Sequence, residues 1–299
     1  MSSRSTSAGR LGPGRILGGV VLSSRPLSWI NTAYPFAAAY LLVGGGFDAR
    51  LVLGTLFFLI PYNIAMYGIN DVFDYESDLR NPRKGGVEGA VLAKPLHPWI
   101  LGASAVTVIP FAAYLWTVGT VVSGIWLAVS LFAVLAYSAK GLRFKERPFL
   151  DSMTSSAHFV TPAIVGATLT GVGLGWGFWT PILAFLLWGM ASQALGAVQD
   201  IAADREAGIG SIATVVGAGR TALFATLLYA ASAVLLLFRD DAGLLAALIP
   251  LMYAVNSGRF IGLPDAECER ARAAWRVFLR LNFFAGFLLT MLLLWMRVL

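Results

Sequence analysis

The run LVLGTLFFLIPYNIAMYGINDVFDYESD, residues 51–78, decides the fold. Its apolar part, read as a span over 52–70, holds no charged side chain. At 1.5 Å per residue it is long enough to cross the ~30 Å hydrocarbon core of a bilayer. The remainder, Asn70 to Asp78, turns abruptly acidic. An apolar rod that runs into carboxylates at one end is a membrane helix whose terminus meets water.

Working outward, blocks of the same kind recur. About nine spans are predicted, over 29–46, 52–70, 99–119, 121–138, 153–175, 178–199, 221–238, 242–258 and 277–296. The whole chain of 299 residues is 58% hydrophobic and 13% charged, against about 25% charged in soluble domains. It therefore reads as an all-α polytopic transmembrane helical bundle. Residues 1–28, rich in Ser, Gly and Arg, read as a cytosolic tail without fixed structure, and 29–299 as a single transmembrane domain. Prolines 61, 110, 162 and 250 fall inside spans, where neighbouring helices satisfy the freed carbonyls. Five glycines between Gly166 and Gly177 predict an irregular end to the fifth span.

Loop charge sets an orientation. Of the 22 Lys and Arg, only Arg50, Arg239 and Arg297 fall outside the N-terminal segment and the loops on its side. By the positive-inside rule, the N-terminus and long loops are expected in the cytoplasm and the C-terminus outside. Of the 16 acidic residues, only Asp48, Asp240 and Asp241 lie on the outer side. Charges of both signs thus crowd one face, the arrangement of a one-sided active site. The net charge of +6 is spread over alternate loops and argues against nucleic acid. The single cysteine, Cys268, excludes an intrachain disulfide framework.

Two acidic clusters stand out. Asn70, Asp74 and Asp78 recur at i, i+4 and i+8, which places all three on one helix face over about 12 Å. Asp200 and Asp204 repeat the spacing at the inner end of the sixth span, four spans later. The two positions suggest a duplicated four-helix unit plus a ninth helix. Stacked carboxylates repel, and near lipid each costs up to about 2.5–3.5 kcal/mol at mid-bilayer. A divalent cation compensates; Mg²⁺ in particular combines one or two carboxylates with substrate phosphates. The plainer reading is a set of solvated loop acids balanced by Arg80, Arg83, Lys84 and Arg205. Two clusters at equivalent places favour the metal.

A diphosphate also needs donors. Lys84 and Arg83 precede Gly85 and Gly86, and Arg143 and Lys145 lie in the loop Tyr137 to Pro148. His97 stands at the entry of the third span. His158, beside Ser155, Ser156 and Thr161, reads as a satisfied core histidine. Neither histidine has metal-ligand spacing.

These residues resemble the UbiA superfamily of intramembrane prenyltransferases. Its first motif is matched by Asn70, Asp74 and Asp78, and its second by Asp200, Asp204, Gly208 and Thr214. Its Tyr-Ser and basic loop is similar to Tyr137, Ser138, Arg143 and Lys145, and Arg25-Pro26 is also similar. The runs 67–92 and 143–162 resemble the lycopene elongase branch. The resemblance implies a UbiA-like bundle, two Mg²⁺ held by Asn70, Asp74, Asp78, Asp200 and Asp204, and dimethylallyl diphosphate bound by Lys84, Arg143, Lys145, Arg25 and Tyr137. It also implies transfer of the dimethylallyl group to lycopene or a similar polyene, followed by hydration or proton loss, toward fifty-carbon carotenoids, with other carotenoid enzymes as possible partners. Phe73, Tyr75 and Tyr137 are candidates to face an allylic cation. Two departures stand against the pattern: Gly210 where relatives carry Lys or Arg, and Ala139-Lys140-Gly141 in place of a proline turn.

Rival readings remain. A UbiA-type enzyme acting on a quinone, aromatic or lipid acceptor keeps the same motifs. A cation transporter predicts acids at mid-membrane, whereas both clusters lie at the inner boundary. The motif of phosphatidyl-alcohol transferases has no counterpart in either cluster.

Overall fold

The computed structural model describes residues 12–79 and 91–298, and among them every regular element is helical. The chain runs through α1 (Pro13–Ser23), α2 (Ile30–Leu42), α3 (Ala49–Leu59), α4 (Pro61–Phe73), α5 (Tyr75–Asp78), α6 (His97–Val118) and α7 (Val121–Ser138). It continues through α8 (Leu150–Leu169), α9 (Trp176–Val198), α10 (Ile201–Glu206), α11 (Ile212–Val216), α12 (Ala218–Leu237), α13 (Leu248–Gly258) and α14 (Arg272–Val298). Six stretches of the described chain are long and apolar enough to cross a membrane, among them Ala49–Phe73, Val121–Ser138 and Trp176–Val198.

The other three predicted spans have helices as well, for identifiable reasons less membrane-like. α2 holds 13 residues, and the segment Ala242–Gly258 is short. α8 is long enough but polar, because its Ser, Thr and His side chains face other helices rather than lipid. Ser155 donates to Gln193 of α9 at 3.0 Å and Ser156 to the Leu186 carbonyl at 2.8 Å. Thr161 reaches Ser130 of α7 at 2.8 Å, and Ser130 passes the chain on to the Tyr62 hydroxyl at 3.0 Å. Nearly every residue of α8 from Val160 on is buried, so this helix is the axis of the bundle.

Two apolar cores flank that axis. Phe36, Phe57, Phe58, Tyr62, Leu115 and Leu127 belong to the first, which α8 joins through Val165 and Leu169. Tyr229, Tyr253, Phe278 and Leu195 anchor the second, built from α9, α11, α12, α13 and α14. The irregular end foreseen for the fifth span is real: α8 stops at Leu169, and residues 171–175 are coil with Gly171 at φ +75°.

Two expectations need amendment. Pro61 does not sit inside a helix; it opens α4 after a break at Ile60. The break is stitched by Asn63, whose amide donates to the Phe58 and Leu59 carbonyls at 2.8 and 3.1 Å and to Thr32 at 2.8 Å. Part of the segment 1–28 is also ordered. Pro13 starts a helix at its first position, where the missing N–H costs nothing, and Val20 of α1 packs on Ile64, Leu96 and Ile100.

Close packing at the axis depends on Gly166, where a Cβ would lie 2.4 Å from the Phe36 carbonyl oxygen. Because that atom is backbone, the neighbour cannot rotate away. Gly166→Val is expected to destabilise the protein by about 2 kcal/mol or more, read as a lower melting temperature in detergent. An unchanged melting temperature would show that α2 and α8 are not held in this contact.

Candidate active site

The first acidic cluster forms where α4 ends. A turn intervenes at Asp74, yet α-type bonding runs through it: Asp74 N–H donates to the Asn70 carbonyl at 2.9 Å, and Asp78 N–H to the Asp74 carbonyl at 2.8 Å. Asn70, Asp74 and Asp78 therefore keep one face, as the spacing predicted, and all three are buried. The second cluster repeats the construction at the end of α9, with Asp204 N–H donating to the Asp200 carbonyl at 2.8 Å. Asp200 and Asp204 are half-buried. Gly208, at φ +70°, then turns the chain. Ser211 and Thr214 cap α11 reciprocally, so Thr214 serves the backbone of this segment.

The loop between α7 and α8 brings the bases in. Lys145 is ion-paired with Asp74, and the Arg143 guanidinium lies 3.7 Å from the same carboxylate while also pairing with Glu146. Burial pushes the Lys145 ammonium down to about 8, against the opposing pull of the Glu146, Asp71 and Asp204 carboxylates. Carboxylates of both clusters thus act on one buried ammonium. Gly210 lets this loop seat itself: a Cβ there would fall 2.6 Å from the Glu146 carbonyl oxygen. The departure at Gly210 therefore makes room for the turn that bears Arg143 and Lys145. Asp151 completes the junction by accepting from the Ile212 N–H at 2.9 Å.

Arg25 also reaches the first cluster, at Asp71 rather than at the three motif residues. Its guanidinium lies 3.0 Å from Asp71 and 4.3 Å from the centre of the Tyr67 ring. Arg25 and Arg143 share a further property: their backbones are left-handed, at φ 51° and 41°. That conformation costs an L-residue about 1–2 kcal/mol, and here it occurs at the two arginines aimed at these carboxylates. Ser138 donates to the Asn70 side-chain oxygen at 2.9 Å and fixes its amide. Tyr67 and Tyr137 are both partly buried, Tyr67 beside the Arg25 guanidinium and Tyr137 against the ring of His158.

Some expected contributors lie elsewhere. Lys84, Arg83, Arg80, Gly85 and Gly86 fall outside the described residues. Tyr75 packs against His97 and beneath Lys94, and Phe73 is exposed; Tyr137 lies against His158 and is followed by Ser138, which bonds Asn70. Arg205 turns outward to the Thr214 carbonyl and to Asp265, each at 2.8 Å. Asp71 and Ser138 are the contributors that helical spacing did not single out. Asp71 lies about 100° around the helix from Asn70, and only its partner Arg25, 46 positions earlier, reveals its use. No group of three His, Cys, Asp or Glu among the described residues closes into a metal cage. The donors are instead all oxygen and arrive from two helix ends, a set that suits a hard cation sharing its shell with phosphate.

Apolar helices of membrane-spanning length, two of them ending in acidic residues, make this an integral membrane protein, and residues 32–287 match the model of the UbiA prenyltransferase family. The chain belongs to that family. It is 56% identical over 274 residues to lycopene elongase/hydratase of Corynebacterium glutamicum, covering 92% of this chain and 96% of that protein. It is 58% identical over 276 residues to the C(50) beta-cyclic carotenoids biosynthesis protein LbtBC of Dietzia sp., covering 91% of this chain but only 63% of that protein. In fold it is similar to a UbiA homolog from Archaeoglobus fulgidus bound to DMAPP and Mg²⁺, with a TM-score of 0.65 at 19% identity over 89% of this chain and 98% of that one.

The Arg25–Asp71 pair supports a stability prediction. Asp71 is almost fully enclosed, and breaking a buried ion pair by removing one member costs about 3–5 kcal/mol. Arg25→Met is expected to lower the melting temperature sharply, with Asp71→Leu added to it restoring part of the loss. Equal melting of all variants would show the pair to be energetically idle.

Proposed function

We propose that the protein is an intramembrane enzyme that moves a dimethylallyl group from dimethylallyl diphosphate to the end of lycopene, on the way to fifty-carbon carotenoids. The reaction type is supported by the pairing of Asp74 with Lys145 and Arg143, with the Asp204 charge also acting on Lys145. The acceptor rests on the identity to lycopene elongase/hydratase over nearly the full length of both chains.

Asn70, Asp74 and Asp78 on one side and Asp200 and Asp204 on the other would hold Mg²⁺. When bound, Mg²⁺ neutralises the charge that develops on the diphosphate as it leaves. Arg143 and Lys145, now partnered by Asp74, are placed to turn their donors onto phosphate oxygens, with Lys84 a further candidate. Arg25 holds Asp71 and Tyr67 in place and contributes positive charge to the same end of the bundle. Tyr137 would offer its ring to the allylic cation. The polyene's terminal double bond is the nucleophile that the allylic cation meets. The same reading has all nine predicted spans crossing the membrane, as two four-helix halves and a ninth helix, with the N-terminus and the site in the cytoplasm and the C-terminus outside. Residues 1–11, and association with other carotenoid enzymes, belong to the cytosolic side of this arrangement.

Expression in a lycopene-accumulating bacterium tests it. Mass spectrometry of the pigments is expected to show products larger by five-carbon units. Unchanged lycopene beside folded protein in the membrane would refute the acceptor. Asp200→Asn, or chelation of divalent cations, is expected to lower turnover at least about a hundredfold while the melting temperature holds. Full activity after exhaustive chelation would refute the metal-dependent mechanism.

A further inference from the structure

Nothing derived so far removes the last proton. Attack of the polyene on an allylic cation leaves a tertiary cation on the acceptor, and that charge must be discharged within the bundle. The chain has two histidines. His97 lies at the surface end of α6, where its Nε2 meets the Leu92 carbonyl at 3.0 Å. His158 is enclosed on α8, the axial helix.

The surroundings of His158 fix its chemistry. Its Nδ1 is hydrogen-bonded to the Thr154 carbonyl one turn back. A carbonyl only accepts, so Nδ1 must bear the proton. In the neutral ring Nε2 is then a bare lone pair, and among the described residues it has no hydrogen-bond partner although it is buried. Such groups are rare, because buried polar atoms are almost always satisfied. The reading of His158 as a satisfied core histidine therefore holds for one nitrogen and fails for the other. The position is equally specific. The His158 ring meets Tyr137 edge to face, with centroids 5.2 Å apart. The residue after Tyr137, Ser138, bonds Asn70 of the first acidic cluster. The imidazole with the unpartnered nitrogen thus packs against the tyrosine that precedes Ser138, the residue bonded to the first acidic cluster.

We propose that His158 is the catalytic base of the terminating step, an inference that rests on the prenyltransferase reading above. The C–O bond to diphosphate breaks and its electron pair leaves with the diphosphate. A C–C bond then forms from the π pair of the acceptor's end, leaving the tertiary cation. With the Tyr137 ring turned aside by the acceptor, Nε2 takes a proton from a carbon beside that cation, whose C–H pair becomes the new double bond. Where a water molecule adds instead, its oxygen bonds to the cation and Nε2 takes one of its protons. The imidazolium passes its proton to the departing diphosphate, so charge and atoms balance. The side chain positioned by Thr154 is thereby used in both outcomes.

The test uses the full chain in lipid vesicles with lycopene, dimethylallyl diphosphate and Mg²⁺. His158→Gln keeps a polar side chain without the base, and His158→Phe keeps the ring contact with Tyr137. Both are expected to bind dimethylallyl diphosphate within about twofold of the wild type, yet to form elongated product about a hundredfold more slowly. The ratio of hydroxylated to olefinic product should also shift, which a packing role would not produce. Elongation within threefold of the wild type by either variant would overturn the proposal. A wild type that leaves lycopene unchanged would count against the acceptor reading instead. If neither variant accumulates, ¹⁵N-histidine resonances of the wild-type chain decide. Protonated Nδ1 with bare Nε2 at His158 is the expected result, and a proton on Nε2 overturns the assignment.

Discussion

One buried ammonium ties this molecule together at its working end. Lys145 pairs with Asp74 and feels the charges of Asp71 and Asp204. Burial lowers the Lys145 ammonium to about 8, and the carboxylates around it favour its charged form. Asp71 and Asp74 are in turn enclosed enough to need positive charge beside them. The result is a mutual dependence between a loop and two helix ends that come from different thirds of the chain. Under the proposed function, a bound diphosphate with its counterions would exchange one set of partners for another within the same charge balance.

The rest of the fold serves to hold those parties at fixed distances. α8 is polar where helices meet and apolar where the cores close, so it locks α7 and α9 in register through serine, threonine and glutamine contacts. Gly166 admits the backbone of α2, and Gly210 admits the backbone of the basic loop. Asp151 clamps the start of α8 to α11, just beyond the second acidic cluster. In a bilayer, where association gains little from the hydrophobic effect, small residues and buried hydrogen bonds of this kind set helix packing.

Much of this was legible in the sequence because its signals are local. Hydrophobic run length placed a helix at each of the nine predicted spans, and the i, i+4 spacing of Asn70, Asp74 and Asp78 correctly put them on one face. The glycines after Gly166 announced the break that follows α8. What escaped notice depends on distance in sequence. Asp71 looks like any flanking acid until Arg25 meets it, and His158 looks ordinary until its second nitrogen is found without a partner. Gly210 read only as a departure from the family pattern, since the folded loop alone reveals the Glu146 carbonyl against it. The order of α1 escaped too, because its few apolar residues gain a purpose only against α4 and α6.

The central claim is that the two acidic helix ends share one diphosphate. Manganese in place of magnesium, with a non-hydrolysable thiolo analogue of dimethylallyl diphosphate, makes it directly visible by anomalous diffraction. Two metal peaks bridged by the analogue, one against Asn70, Asp74 and Asp78 and the other against Asp200 and Asp204, are the expected result. Metal confined to one cluster, or an analogue bound away from Lys145, would contradict the account.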